Sequence, residues 1–175
     1  MRLLKTILLG GAVAGALDIT YAFVVYGPLS YGMTPTDVLH SVASGWMGRD
    51  AANAGGTATA LLGLVTHFMI AMIMAAIYVW LATNWLALNR KAVVAGLVYG
   101  FALYLVMTYV VVPLSAANKS QHRASGVGEV AERLHGSFGS IRPADRWQLL
   151  GTLFTHMVFV GLAISLVTRR RYRRP

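Results

Sequence analysis

Three ionisable side chains stand inside long apolar stretches of this sequence. Asp18 follows TILLGGAVAGAL, and His67 and His156 each follow a threonine, in LVTHFMIAM and LFTHMVFVG. Ionisable residues are rare in such surroundings and indicate functional sites by default. Carboxylate and imidazole groups can share a proton near neutral pH, form a proton relay, or bind a metal ion or haem iron.

These stretches belong to four apolar runs, 7–27, 60–82, 92–113 and 147–168, each long enough to cross a bilayer as a helix. The chain of 175 residues is 57% hydrophobic and 12% charged, whereas soluble domains carry about 25% charged residues. The sequence therefore predicts an all-α membrane protein with four transmembrane helices. It forms a single integral membrane domain, 1–175.

Basic residues without acidic companions lie on one side of this four-span topology. Arg2 and Lys5 precede the first run, Arg90 and Lys91 separate the second from the third, and five arginines occupy the tail 169–175. Because basic loops stay on the cytoplasmic side, we expect both termini and this tail in the cytoplasm. The net charge of +9 then serves topology and contact with anionic lipid headgroups, not nucleic acid.

The two halves of the chain look like copies of one another. GAVAGALDITYAFVVYGPLS (11–30) aligns without a gap to GLVYGFALYLVMTYVVVPLS (96–115), and Thr66-His67 corresponds to Thr155-His156. Each copy contains two spans, so both enter the membrane in the same direction. We therefore predict two parallel-repeat helical hairpins, over about 7–83 and 92–168.

Glycines recur at helical spacing in the first and third spans. Gly11 and Gly15, like Gly96 and Gly100, lie on one helix face, where the absence of a side chain lets two helices approach closely. We expect these two spans to be central and to pack on each other across the pseudo-two-fold axis. A homodimer contact is the alternative use of this face.

The first outer loop is predicted to contain a short amphipathic helix. Thr34 is a suitable N-cap, Pro35 suits the first helical position, and Asp37 can complete a capping box. This helix would lie on the membrane surface or fold back onto the bundle. The second outer loop suggests one more short helix near 127–134. The first apolar run continues beyond Ala14-Gly15-Ala16, which resembles a signal-peptide cleavage site, so we expect an uncleaved span.

Depth and helical facing bring the ionisable residues together in this topology. Asp18, His67 and His156 all lie roughly 10–15 Å from the outer surface, at about 1.5 Å per residue. In one interpretation they form a structural cluster, in which Asp18 accepts a hydrogen bond from a histidine and Thr66 and Thr155 bond back to backbone carbonyls. In a second, the site handles protons or a small solute. In a third, His67 and His156 ligate a b-type haem or, with Asp18, a metal ion.

Sequence motifs of known enzymes do not help to choose among these interpretations. The sequence has no G-x-S-x-G, no H-E-x-x-H and no cysteine, so it leans against an enzyme without deciding the matter and excludes disulfides and thiolate metal sites. It favours a non-enzymatic accessory, assembly or structural subunit. The expected partners are the lipid bilayer and a larger membrane complex or a homo-oligomer.

Four segments together resemble a family of small bacterial inner-membrane proteins with four spans, and more distantly the YagU-like inner-membrane proteins. They are AGALD, SGWMGRDAANAGGTATALLGLVTHF, LVYGFALYLVMTYVVVPLSA and HMVFVGLAISLVTRR. The resemblance covers most of the chain apart from the second outer loop. It implies a multi-pass protein of the bacterial inner membrane and transfers no catalytic residue.

Overall fold

A computed structural model describes residues 2–118 and 146–172. Four helices in these ranges are long and apolar enough to cross a membrane: Leu3–Tyr31, Gly56–Asn84, Ala92–Leu114 and Leu149–Arg171, called spans 1 to 4 below. All regular elements of the described residues are helical. The prediction of an all-α protein with four apolar helices is therefore confirmed. The short helix expected near 127–134 and the last tail residues, 173–175, lie outside the described ranges.

The four spans differ in regularity. Span 2 is one uninterrupted α-helix. Spans 3 and 4 contain π-helical turns, at Met107–Val111 and Thr155–Leu162, and span 1 has a kink within Val25–Tyr31. In hydrocarbon every backbone N–H and C=O must be paired internally, which requires helices here. The connecting helices at the two ends of the bundle are α1 (Pro35–Met47), α2 (Arg49–Ala54) and α3 (Leu86–Arg90).

A glycine–proline pair ends the regular helix of span 1. Gly27 has φ −80° and ψ −109°, outside the helical region, because the ring of Pro28 disfavours helical geometry in the residue before it. The chain then turns at Gly32, whose φ of 65° suits glycine, and the Gly32 N–H donates to the Gly27 carbonyl at 2.8 Å. This break fixes the position of Tyr26 at the mouth of the bundle.

Spans 1 and 4 form the centre of the bundle. Span 1 packs on spans 2 and 4, and span 3 packs chiefly on span 4, while spans 1 and 3 barely touch. Gly15 faces Phe68 of span 2, and Gly100 faces the backbone at His156 and Met157 of span 4. The prediction that spans 1 and 3 pack on each other is therefore wrong. Their glycine faces are occupied by the hairpin partners instead.

The glycines at the basic end of the same faces show the same arrangement. Gly11 lies against Met72 of span 2, and Gly96 lies against Leu162 and Ser165 of span 4. Away from these contacts the bundle surface is apolar, with Leu61, Val98 and other large side chains more than half exposed. A continuous apolar exterior of this kind is stable only when lipid covers it.

Helix α1 begins with the predicted capping box. The Asp37 N–H donates to Thr34 Oγ1 at 3.2 Å, and the Thr34 N–H and hydroxyl donate to Asp37 Oδ2 at 2.8 and 2.7 Å. These hydrogen bonds from the Thr34 side chain and backbone hold the pKa of the Asp37 carboxyl below its ordinary value. The helix therefore has a fixed start and direction.

This helix folds back onto the bundle. Its Leu39 carbonyl packs against Gly63 of span 2, where a side chain would collide with it. The indole N–H of Trp46 donates to Thr66 Oγ1 at 2.9 Å, and the imidazole of His40 bonds to the Gly56 carbonyl at 2.8 Å. Of the two positions left open by the sequence, the structure shows the one on the bundle.

Candidate functional site

A cavity of about 320 Å³ lies between the four spans and brings the three ionisable residues together. Asp18 enters it from span 1, His67 from span 2 and His156 from span 4. Val42 of α1 also belongs to its lining. Most of the remaining wall is apolar, with three hydroxyl groups: Ala14, Gly15, Tyr26, Ile70, Ala71, Met74, Met107, Thr108, Val112, Thr152 and Val160.

Two of the four spans are π-helical where they line this cavity. Met107, Thr108, His156 and Val160 belong to π-helical turns, whereas Tyr26 lies just before the break at Gly27. Such turns account for well under 1% of residues in proteins and occur often at functional sites. Their concentration around one cavity is a second indication, independent of the charged residues, that this is the functional part of the molecule.

The imidazole of His67 is fixed by span 1. Its Nε2 lies 2.9 Å from the carbonyl oxygen of Gly15. A carbonyl oxygen can only accept, so Nε2 must carry the proton. In the neutral ring Nδ1 is then an acceptor, and it lies 3.9 Å from Oδ2 of Asp18. The close approach of spans 1 and 2 at Gly15 brings the ring near this carbonyl.

His156 has the opposite arrangement. Its Nδ1 lies 2.9 Å from the carbonyl oxygen of Thr152, four residues earlier in span 4. This nitrogen must therefore carry the proton, which leaves Nε2 as the acceptor of the neutral ring. Thr155 Oγ1 likewise donates to the Gly151 carbonyl at 2.7 Å. Side chains that bond back in this way bend helices, and the π-helical turn begins at Thr155.

The sequence motif Thr-His thus has two different uses. Thr155 bonds to a backbone carbonyl four residues earlier, as expected, whereas the hydrogen-bond partner of Thr66 is the Trp46 indole. The structural-cluster interpretation also required a histidine to donate to Asp18. At 3.9 Å the His67–Asp18 contact is an ion-pair distance and not a hydrogen bond.

Asp18 is the least satisfied of the three groups. Its side chain is 28% exposed, towards the cavity, and within the described residues no donor lies at hydrogen-bond distance from its carboxyl oxygens. A carboxylate removed from water without a donor is unfavourable. Together with His67 Nδ1 and His156 Nε2 it gives the cavity three acceptor groups. The arrangement favours binding of a proton or of a cation that donates hydrogen bonds.

A tautomer measurement tests this assignment directly. At a pH where both rings are neutral, we expect His67 to carry its proton on Nε2 and His156 on Nδ1, because each carbonyl partner can only accept. The ¹⁵N chemical shifts of protein labelled in histidine distinguish the two forms, with His67→Gln and His156→Gln assigning the signals. Identical tautomers at the two positions would contradict the geometry.

A second, larger cavity lies at the loop end of the bundle. It measures about 620 Å³ and is lined by residues from the end of span 1, α1 and α2, among them Asp37, Arg49 and Asn53. Tyr26 lines both cavities. Its hydroxyl lies 3.5 Å from Thr152 Oγ1. Tyr26 therefore separates a polar vestibule from the acceptors inside the bundle.

The cofactor interpretation finds little support in this geometry. Among residues 2–118 and 146–172, no three histidine, aspartate or glutamate side chains are grouped so that they could hold a metal ion. The cavity has the volume of about ten water molecules, at ~30 Å³ each. A haem macrocycle needs far more space than this. The residues present do not fit a haem between His67 and His156.

Comparison of the chain with models of protein families, with curated proteins and with solved structures finds no match. The site must therefore be interpreted from its own chemistry.

Helical spacing places Thr152 and Val160 on the same stripe as His156, and both line the cavity. Other residues of the site were missed. Thr108 and Val42 had no such signal, because neither belongs to a span with an ionisable residue near them in sequence. Tyr26 was detectable only through the break at Gly27, whose three-dimensional effect depends on the turn that follows.

Proposed function

We propose that this is a multi-pass protein of the bacterial inner membrane, with both termini in the cytoplasm, that binds protons at the Asp18–His67 pair and a small solute in the adjoining cavity. The observation that carries the proposal is the pair of opposed acceptors. His67 donates its one N–H to the Gly15 carbonyl and turns Nδ1 towards the Asp18 carboxylate. Two acceptors that face each other repel unless a proton lies between them.

The surroundings of Asp18 support a site that changes its protonation state. The titratable groups that share its cavity are His67 from span 2, His156 from span 4 and Tyr26 from span 1 itself. Span 3 and α1 contribute Thr108, Met107, Val112 and Val42, none of which titrates. Of the groups around Asp18, only the imidazoles change charge between pH 5 and 8 when unperturbed.

The route to water also supports the proposal. Solute and protons can reach the cavity from the vestibule past Tyr26, which lines both spaces. Thr152 connects Tyr26 to His156, because its hydroxyl lies near the tyrosine and its carbonyl accepts from the imidazole. The carboxyl and imidazole groups inside the cavity are of the kind that forms proton relays in membrane proteins.

The topology proposed here rests on charge and on the repeat. The basic residues at the span ends share one end of the bundle, among them Lys5, Arg90 and Arg169. This distribution supports cytoplasmic termini. The two hairpins also use their glycines alike, Gly15 against span 2 and Gly100 against span 4. This common packing supports a parallel repeat. An accessory role in a larger complex or a homo-oligomer stays a prediction.

Difference infrared spectroscopy of the purified protein tests the proton site. When the pH falls from about 8 to 5, the range in which imidazole takes up a proton, we expect the pair to gain one proton. The signal is either the carbonyl stretch of a protonated carboxyl group or the bands of an imidazolium ring. Asp18→Asn should remove a carboxyl signal, because an amide has no such proton, and should weaken an imidazolium signal, because the ring loses the carboxylate that stabilises its charge.

The matched control is Asp50→Asn, which removes an exposed carboxylate of α2 that lines neither cavity, and should leave this signal in place. A wild-type difference spectrum that Asp18→Asn does not change would overturn the proposal.

A further inference from the structure

The cavity has a charge and a shape that select its occupant. We infer that the solute is a small protonated amine with an apolar body. This inference rests on the proposed function, since it names the solute class for the same cavity.

The polar groups of the cavity define the charge of the ligand. Asp18, His67 Nδ1 and His156 Nε2 all accept hydrogen bonds and donate none, once the carboxyl is ionised and the two N–H groups are taken up by carbonyls. Among the described residues that line the cavity there is no lysine or arginine. A carboxylate or phosphate would therefore meet a like charge and two acceptor nitrogens, with only the hydroxyls of Tyr26, Thr108 and Thr152 as donors. An ammonium group brings the N–H donors that these acceptors lack.

The rest of the wall defines the body of the ligand. Ile70, Met74, Met107 and Val160 also line the cavity, together with Tyr26. Apolar walls of this kind bind hydrocarbon, and an aromatic face adds attraction for a nearby cation. The volume of about 320 Å³ corresponds to roughly ten non-hydrogen atoms, if each occupies about as much space as a water molecule.

Binding of such a ligand must displace the shared proton. In the proton-loaded state one hydrogen lies between the Asp18 carboxyl and His67 Nδ1. When the ammonium ion enters, the bond to this hydrogen breaks, the proton leaves to water, and the carboxylate pairs with the ammonium. One positive charge replaces another, so the charge of the cavity is unchanged. Proton and amine therefore compete for one site.

Calorimetric titration of the full chain in lipid nanodiscs with phenethylamine tests the inference. We expect binding near pH 8 that weakens as the pH falls, with release of protons shown by different heats in two buffers of unequal ionisation enthalpy. Asp18→Asn should weaken binding at least about 30-fold, as expected for removal of one partner of a desolvated charge pair. Asp50→Asn, which replaces an exposed carboxylate of α2 that lines neither cavity, should bind like the wild type.

Two other probes test the inference on the wild-type protein, so the test does not depend on whether Asp18→Asn folds. Phenethyl alcohol has the same shape without the charge, and benzyltrimethylammonium has the charge without an N–H donor. We expect both to bind at least about tenfold more weakly than phenethylamine to the wild-type protein. Equal binding of the quaternary ion, or no binding of the amine, would overturn the inference. If the infrared proton signal is still present, the proposed function survives that failure; if the signal is also absent, both fail.

Discussion

Replacing Gly100 by alanine is expected to lower the free energy of unfolding by roughly 2–3 kcal/mol, towards the upper end of the range for overpacked sites. The new Cβ would collide with the carbonyl of His156 and the Cα of Met157. Both are backbone atoms, so no rotation of a side chain can relieve the contact. Span 3 must instead move away from span 4, which also displaces His156 and the cavity wall.

The same substitution at Gly10 is the matched control. A Cβ there would meet the Ala75 Cβ at 3.7 Å and the Ile164 Cγ2 at 3.9 Å, which are ordinary contacts. Because alanine is the better helix former by up to about 1 kcal/mol, Gly10→Ala should be neutral or slightly stabilising. Unfolding in detergent, followed by circular dichroism, measures both variants. Equal stability of the two would show that spans 3 and 4 approach less closely than described.

Much of the fold was predictable, because the bilayer leaves so few choices. A run of apolar residues such as 60–82 must form a helix in hydrocarbon, and span 2 is the helix Gly56–Asn84. The capping box of Thr34 and Asp37 likewise depends only on neighbouring residues. The prediction was wrong about which helix packs against each glycine face. Gly11 and Gly96 show which face of a span carries small residues, but such a face can pack against any neighbouring helix.

The site was predictable to a similar degree. Helical periodicity and depth in the membrane indicated that Asp18, His67 and His156 face inwards. In the structure all three line one cavity. Their hydrogen bonds were not predictable, because the carbonyls of Gly15 and Thr152 accept from these rings only at particular separations and rotations of the helices. The π-helical turns at Met107–Val111 and Thr155–Leu162 were not predicted. The Thr155 hydroxyl, which donates back to the Gly151 carbonyl, contributes to the second.

Replacing Asp18 by leucine is expected to raise the free energy of unfolding by about 1 kcal/mol, because a carboxyl group that is 28% exposed and has no donor is only partly desolvated. In the predicted repeat alignment Asp18 corresponds to Leu103, which is 8% exposed and packs in the core. The cavity beside Asp18 has room for the larger side chain. The free energy of unfolding rises on such a replacement when the residue is kept for function at the expense of stability. If Asp18 instead holds a structural cluster together, Asp18→Leu would lower it.

The chain contains a second carboxylate that should respond in the opposite way. Asp37 accepts from Thr34 in the capping box of α1, so Asp37→Leu should lower the melting temperature while Asp18→Leu raises it. Each variant replaces an aspartate by leucine and removes one carboxylate. The Asp37 carboxylate has hydrogen-bond donors in the folded protein, and the Asp18 carboxylate has none among the described residues. Thermal unfolding in one detergent compares them directly. A lower melting temperature for Asp18→Leu would assign Asp18 a structural role, because only a carboxylate already paired in the folded protein destabilises it when removed.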